Sequence, residues 1–349
     1  MTTQTQPAQG VSRLDGGFYI LMTLLGWSSV PLFLEHFSHD IDVWTSNGWR
    51  YGFSALLWAP VIVVGWMRRS LPKGLWRASF VPGIVNSIGQ VCFAAAYYYI
   101  EPGLVTFSLR LQILFVVAGA LVLFPSERRV IRSVWFIVGT VLVMAGTVTT
   151  MVFAQEKESG SDSLAIGIPL AVAAGLFFAA YGLSVRYFMH GFKPIVAFAA
   201  ISQYTAAAMV GLMLVLGAGA GVGALDLSGG QFALLLFSSF IGIALGHVCY
   251  YTSIARLGVA ISSGVLQLQP FLAAAGSVVL FNEVFTGVQW GGGAVAVFGA
   301  GMVLAAQHRL TRRRVEREGL SEPAEFAELP PDHVAAMCIG EHEEAGVAG

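Results

Sequence analysis

The sequence predicts an all-α integral membrane protein, with ten transmembrane helices arranged as two inverted five-helix repeats. Three observations support this fold class: the composition, a succession of apolar segments of membrane-spanning length, and a match between the two halves of the chain. Of the 349 residues, 56% are hydrophobic and only 11% are charged, and the mean hydropathy is +0.72. Soluble domains carry about 25% charged residues, so a water-exposed fold does not suit this chain.

The composition also excludes several classes of function. The formal net charge of −1 offers no basic field for binding nucleic acid. The three cysteines, Cys92, Cys249 and Cys338, do not form a disulfide framework, because two lie in apolar segments and one in a polar tail. The sequence has no catalytic triad order, metal-ligand spacing or phosphate loop. We therefore expect neither an enzyme nor a bound cofactor or metal.

Ten apolar segments each approach the roughly 20 residues that cross a hydrocarbon core of about 30 Å. The first is expected to be a retained helix, because no small-residue cleavage site follows it. Small residues spaced by four, as in Gly242-x-x-x-Gly246 and Gly287-x-x-x-Gly291, indicate close helix packing. The predicted spans are 17–37, 44–66, 77–100, 103–124, 132–153, 164–188, 194–219, 230–256, 259–281 and 285–307.

The basic residues predict the orientation of these spans. With the N-terminus in the cytoplasm, 16 of the 19 Lys and Arg residues fall on the cytoplasmic side. The outer side keeps Lys157, while Arg50 and Arg110 lie within spans. We therefore expect a multi-pass protein of the inner (plasma) membrane with both termini in the cytoplasm.

The second half of the sequence repeats the first at a displacement of 157 residues. Residues 89–124 match residues 246–281 at positions that include Gly89/Gly246, Cys92/Cys249, Gln112/Gln269 and Phe124/Phe281. Because five spans is an odd number, the second copy enters the membrane upside down. Inverted repeats are typical of secondary transporters, whose substrate site lies near the midplane between the halves.

The predicted organisation therefore has four parts. A cytoplasmic N-terminal tail, 1–16, precedes the first repeat, 17–155, and the second repeat, 156–307, precedes a cytoplasmic tail, 308–349. That last tail begins with a basic cluster and continues with acidic residues and few aromatics. We expect it to touch anionic lipid headgroups and then to be disordered, with a regulatory domain as the alternative.

A family resemblance follows from these features. Each repeat has a short connection between its third and fourth spans, a Glu after the fourth (Glu127 and Glu283), and a Gly-rich fifth span. Over about residues 17–307 this pattern resembles the EamA-type branch of the drug/metabolite transporter (DMT) superfamily. The resemblance implies export or exchange of small metabolites through a central cavity lined by spans one, three, four, six, eight and nine. The first repeat departs from the pattern, because Ile113 stands where the second repeat has Pro270.

Charged groups inside the spans indicate the ligand. All 20 Asp and Glu residues fall in loops, tails or span ends, so a buried carboxylate for organic cations is missing near the midplane. A charge inside the bilayer costs at least about 2.5–3.5 kcal/mol and indicates a functional site. Arg110 lies about seven residues, roughly 10 Å, into span four and is the leading candidate to bind an anionic group. The alternative is an ion pair of Arg110 with Glu101 or Glu35.

Two further ionisable residues lie within spans. Arg50, about six residues into span two, is expected to snorkel or to pair with Asp42, and together with Glu35 it is a candidate for the outer vestibule. His247 in span eight is a candidate proton-coupling residue because histidine titrates close to neutral pH. The alternative for His247 is a neutral side chain hydrogen-bonded across helices.

The remaining candidate binding residues lie on spans that the resemblance places around the cavity. For each buried amide, helix-to-helix hydrogen bonding is the structural alternative. These candidates are Trp27, Tyr181, Tyr250, Tyr97, Gln112, Gln267, Gln269, Asn86 and Gln90.

The predicted function is secondary active transport of a small organic metabolite by alternating access. An amino acid or an organic acid is the favoured substrate, and export is the expected direction. Protons are the candidate coupling ion, lipid is the surrounding partner, and one polypeptide, as a monomer, could hold a complete site. The rival functions are a multidrug or organic-cation exporter of the same fold and a membrane scaffold or sensor that transports nothing.

Overall fold

A computed structural model describes residues 14–96, 99, 105, 108–109, 111–152, 161–281 and 286–318, which form helices joined by short turns. A 3-10 segment (Ala218–Asp226) and a π-helical segment (Phe240–Leu245) interrupt the α-helices of the second half. The α-helices are α1 (Leu14–Phe37), α2 (Val43–Met67), α3 (Leu75–Ala96), α4 (Gln112–Leu123), α5 (Arg128–Ile131), α6 (Val134–Val152), α7 (Ser161–Phe188), α8 (Pro194–Leu216), α9 (Gly229–Ser239), α10 (Gly246–Leu257), α11 (Val259–Leu266), α12 (Gln269–Phe281) and α13 (Gly287–Glu318).

Most of these helices suit a membrane. Within the described residues, eight helical stretches are long and apolar enough to cross a bilayer. They correspond to α1, α2, α3, α7, α8, the continuous stretch from α9 to α10, the stretch from α11 to α12, and α13. The shorter apolar helices α4 and α6 fall within predicted spans four and five. The chain is therefore a multi-pass membrane protein, and the count of exactly ten spans stays a prediction.

The helices of the two halves pack against one another in matching pairs. α1 packs on α10 and α12, and α7 packs on α3 and α4. α2 packs on α8, and α6 packs on α13. Exchanging the predicted repeats turns the two contacts of α1 into the two contacts of α7. The α2–α8 and α6–α13 contacts map onto themselves. Such packing is expected when two similar halves meet face to face, while their inverted orientation stays a prediction.

Glycines allow the closest of these approaches. A Cβ atom on Gly299 of α13 would lie 2.6 Å from the carbonyl oxygen of Gly139 on α6, so the two backbones touch directly. Gly242 and Gly246 also pack closely, against Val30 and Trp27 of α1. The other predicted pair does not, because a Cβ on Gly287 or Gly291 would meet nothing within 4 Å. The expectation of packing at these two positions was wrong, since they lie on an exposed side of α13.

Two interruptions of the helices lie close to the centre of the bundle. The π segment displaces the backbone just before His247, and π turns often occur at functional sites. The predicted ninth span is broken at Gln267 and Leu268, between α11 and α12. Pro270 explains this break, because proline has no N–H to donate to the carbonyl four residues earlier. The break places the N-terminus of α12 at Gln269.

The last helix extends beyond the predicted tenth span. α13 has 32 residues and ends at Glu318, so the first part of the predicted C-terminal tail is helical. Arg309 in this extension lies over the ring of Trp135, with the guanidinium carbon 3.7 Å from the ring centroid. The remainder of that tail, 319–349, and most of the N-terminal tail lie outside the described residues.

Candidate functional site

A cavity lies between the two halves of the bundle. It is bordered by α1, α2, α3, α4, α7, α10 and α12 and by the π segment. Its walls are apolar and aromatic with a few amides, as in sites for small organic molecules. The lining residues are Trp27, Val30, Leu34, Asn47, Arg50, Tyr51, Asn86, Gln90, Phe93, Leu109, Gln112, Phe178, Tyr181, Gly242, Ile243, His247, Tyr250 and Gln269.

Arg50 is the one residue among these eighteen described lining residues that carries a permanent charge. It is 2% exposed. Its Nε and Nη2 atoms are buried and have no hydrogen-bond partner in the described part of the chain. The expectation that Arg50 snorkels outward was wrong. A desolvated guanidinium without a partner is unfavourable, so an anion in the cavity would relieve the cost.

Asp42, the predicted partner of Arg50, is used elsewhere. It caps the N-terminus of α2 by accepting hydrogen bonds from the backbone N–H groups of Trp44 (2.9 Å) and Thr45 (3.0 Å). Its second carboxylate oxygen accepts from the Thr45 hydroxyl and from the Ala218 N–H. Burial alone would raise the pKa of Asp42, but these hydrogen bonds lower the pKa below its ordinary value. Asp42 therefore stays ionised while it ties the 3-10 segment to α2.

Aromatic rings form the deepest wall of the cavity. The ring of Trp27 lies 4.9 Å from that of Tyr250 and 5.1 Å from that of His247, measured between centroids. Tyr181 approaches His247 at 6.1 Å, and its hydroxyl is hydrogen-bonded to that of Tyr251. The hydroxyl of Tyr250 lies 3.4 Å from the Ser263 hydroxyl. The predicted aromatic candidates Trp27, Tyr181 and Tyr250 are thus brought together.

His247 lies within this aromatic group and is 5% exposed. Its ring stacks on that of Phe198, with 5.2 Å between centroids. Its Nδ1 lies 3.0 Å from the carbonyl oxygen of Ile243, which can only accept, so Nδ1 carries the proton. In a neutral ring Nε2 is then the free basic position. Its placement on the cavity wall is compatible with both predictions made for it, a neutral interhelical role and a proton-coupling role.

The amide candidates fall into two groups. Asn86 donates to the Thr205 hydroxyl oxygen at 3.1 Å, while its own Oδ1 has no partner in the described chain. Gln269 donates to the carbonyl oxygen of Trp27 at 2.9 Å and so connects α12 to α1. Gln90 and Gln112 are partly exposed to the cavity. α4 and α12 begin at Gln112 and Gln269, which are equivalent positions of the sequence repeat.

The other predicted residues are not among the described residues that line the cavity. Gln267 is buried between helices, where its Nε2 donates to the Ser263 carbonyl and its backbone carbonyl accepts from Thr147. The amide thus bonds within its own helix, and only the backbone carbonyl of Gln267 reaches another helix. Arg110 and Tyr97 lie outside the described residues, as does the side chain of Glu35 on α1. Among described residues, no group of three or more His, Cys, Asp or Glu could hold a metal ion.

Two polar residues of the cavity were absent from the sequence-based predictions. Asn47 and Tyr51 line it together with Arg50. Asn47, Arg50 and Tyr51 stand at positions i, i+3 and i+4 of α2, and such positions share one side of a helix. Once Arg50 is a candidate, this spacing also indicates Asn47 and Tyr51. Asn86, Gln90 and Phe93 on α3 show the same kind of spacing.

Comparison with known proteins identifies the family. The model of the EamA-like transporter family matches the chain twice, over residues 14–152 and 165–305. The chain belongs to the EamA-like transporter family. The resemblance to the EamA branch of the drug/metabolite transporter superfamily is thereby confirmed. Members of this family are transporters and not enzymes, and a small molecule is the implied substrate.

Comparison of structures supports the fold of this EamA-like transporter. A solved structure described only as a crystal structure of a protein superposes on it with a TM-score of 0.66. The sequence identity is 16%, and the alignment covers 86% of this chain and 99% of the other. At this identity the likeness concerns the fold alone. No curated protein shows significant sequence similarity to the chain.

Proposed function

We propose that this EamA-like protein is a secondary transporter of small organic solutes that carry a negatively charged group. The observation that carries the proposal is Arg50, a buried guanidinium on the cavity wall with partner-free Nε and Nη2 atoms. The described lining residues include no Asp or Glu that would neutralise it. Arginine binds carboxylates through two parallel hydrogen bonds, so a carboxylate is the expected group.

Other features of the cavity favour the same class of solute. The N-terminus of α12 borders the cavity at Gln269, and the N-terminal end of a helix carries a partial positive charge. The rings of Trp27 and Tyr250 provide an apolar aromatic surface beside the polar groups. An organic acid or an amino acid with an apolar portion would use both surfaces. Arg110 remains a second proposed contact for the anionic group.

The direction and mechanism belong to the same proposal. We expect alternating access, in which the cavity opens first at one face of the membrane and then at the other. The family resemblance makes export the expected direction. The charge distribution places both termini in the cytoplasm, and protons are the proposed coupling ion. His247 supports proton coupling because its side chain lines the cavity and its Nδ1 position leaves Nε2 as the basic site.

The test is solute flux in proteoliposomes with a panel of amino acids, organic acids and organic cations. We expect saturable transport of carboxylate-bearing solutes by the unmodified protein. Arg50→Gln should weaken apparent affinity at least about 30-fold, because truncating one partner of a buried charge pair costs about 2–5 kcal/mol. Arg50→Lys should retain part of the activity, since it keeps the charge but not the fork.

The controls separate this proposal from its rivals. Arg110→Gln, measured in the same panel, shows whether the second arginine contributes as well. Transport of organic cations alone, unaffected by Arg50→Gln, would contradict the proposal in favour of a cation exporter. An absence of flux for every solute would favour the scaffold or sensor.

A further inference from the structure

Glu127 is a buried carboxylate that the cavity does not use. It lies in the turn between α4 and α5 and is 7% exposed. Its two oxygens accept hydrogen bonds from the backbone N–H groups of Val259 (3.1 Å) and Ala260 (2.9 Å). One of them also lies 3.4 Å from Nε of Arg186. We call this group, Glu127 with Arg186 and the two backbone amides, the Glu127 cluster.

The Glu127 cluster joins the two halves of the transporter. Glu127 belongs to the first half, whereas Arg186 lies in the last turn of α7 and Val259 begins α11, both in the second half. Arg186 extends the connection by donating to the Ile254 carbonyl on α10 at 3.3 Å. Without Glu127, the first amides of α11 would lose their partner, since a helix leaves these groups unsatisfied.

The backbone at the start of α11 is shaped to receive the carboxylate. Gly258 has φ +88° and ψ 162°, a conformation essentially restricted to glycine. A Cβ atom there would lie 2.7 Å from the carboxyl carbon of Glu127. Glycine therefore serves both the turn and the close approach of the side chain.

The cluster lies at the end of the molecule opposite to the cavity. On α1 the lining residues begin at Trp27 and continue toward its C-terminus, whereas Gly16 near its N-terminus packs against Leu257 and Arg256. The turn from α10 to α11 is thus at the N-terminal end of α1. Tyr250 lines the cavity, and its hydroxyl lies 3.4 Å from that of Ser263 on α11. In this conformation the halves are in contact at the Glu127 end, and the cavity extends toward the turn between α1 and α2.

We propose that the Glu127 cluster holds the two halves together at this end and that its separation opens the cavity to the membrane face beside the N-terminus of α1. The inference rests on the proposed function, because it assigns a step of the transport cycle. Glu127 is then a positioning residue that sets the balance between two conformations and does not contact the solute.

The neighbouring Arg128 provides a matched control. Its Nε donates to the Leu121 carbonyl at 2.6 Å and its Nη2 to the Val122 carbonyl at 3.2 Å. Both acceptors belong to the first half. Removal of the Arg128 side chain therefore changes the charge beside Glu127, and the hydrogen bonds that it removes lie within the first half.

The experiment measures access to the cavity and needs no known solute. Val30 on the cavity wall is replaced by cysteine after Cys92, Cys249 and Cys338 have been changed to alanine. A membrane-impermeant thiol reagent is applied to either face of vesicles that contain the protein in one orientation. We expect rapid labelling from the face of the α1–α2 turn and slow labelling from the opposite face. Glu127→Ala should increase the slow rate at least about tenfold, while Arg128→Ala should leave it unchanged.

Each outcome decides the proposal. A folded Glu127→Ala protein with unchanged labelling from the Glu127 face would overturn it, as would an equal increase in Arg128→Ala. If Glu127→Ala does not fold, Arg186→Ala is measured in its place, with the same expected increase and the same overturning results. Because labelling does not depend on the solute, an unexpected substrate class would contradict the proposed function and leave this result standing.

Discussion

Arg50 places the requirements of binding and of stability in conflict. Its guanidinium is desolvated inside the protein, and two of its nitrogens lack partners there. Replacing buried charges with apolar groups of similar volume is often neutral or stabilising by about 1–4 kcal/mol. We therefore expect Arg50→Met to raise the thermal unfolding temperature of the solute-free protein while it abolishes transport.

Thermal unfolding in detergent, with and without a transported solute, checks this prediction. The solute should raise the unfolding temperature of the unmodified protein, because it binds the folded state, and should not raise that of Arg50→Met. Asn47→Leu, on the same side of α2 but uncharged, serves as the control. A clear loss of stability in Arg50→Met would show that the guanidinium has a structural partner and would contradict its assignment to the solute.

At the scale of the helix, close contact between α6 and α13 depends on glycine. A side chain at Gly299 would collide with the Gly139 carbonyl at 2.6 Å and with the Val143 amide at 2.7 Å. We predict that Gly299→Val destabilises the protein by about 1–3 kcal/mol, the usual cost of overpacking. Gly291→Val, on the same helix but with open space around it, should have little effect. The unfolding midpoints of the two variants are compared. If both variants lose stability equally, the cause would be the helix propensity of valine and not a collision with α6.

The elements show what the sequence could and could not predict. Hydropathy located the helices because crossing a bilayer fixes their length and composition. The spacing of glycines alone does not identify those of α13 that pack. The packed face of a helix depends on where the neighbouring helix lies, and the sequence does not show this. For this reason Gly287 and Gly291 were predicted to pack, whereas Gly292 and Gly299 do so.

The same limitation applies to the candidate site. Sequence reasoning could select Trp27, Tyr181, Tyr250 and several amides that line the cavity, because polar and aromatic groups in apolar spans are few and conspicuous. Arg50 was assigned correctly to a span and wrongly to an outward pose, since depth along a helix does not give direction. Asp42, which the sequence suggests as its partner, instead caps α2 and accepts a hydrogen bond from the Ala218 amide. The sequence does not reveal this long-range contact. Gln267 and Gln269 are only two residues apart. The break between α11 and α12 nevertheless leaves Gln267 buried between helices and Gln269 on the cavity wall.

For the whole molecule, the cavity and the Glu127 cluster occupy opposite ends of one interface between the halves. Alternating access requires that contacts between the halves at these two ends break and form in turn. The aromatic group of Trp27, Tyr181, His247 and Tyr250 lies between these ends. A proton or solute bound at this level could therefore influence both.

Proton coupling gives a prediction for the whole transport cycle. Nδ1 of His247 is held by the Ile243 carbonyl, so protonation at Nε2 would place a new positive charge on the cavity wall. A proton and a solute that exchange at this position would move in opposite directions across the membrane.

In proteoliposomes, a proton gradient directed against the solute should accelerate its flux in the unmodified protein. His247→Gln should remove the acceleration and retain solute exchange without a gradient, whereas His39→Gln, at the exposed turn after α1, should behave like the unmodified protein. Full acceleration in His247→Gln would assign coupling to another group.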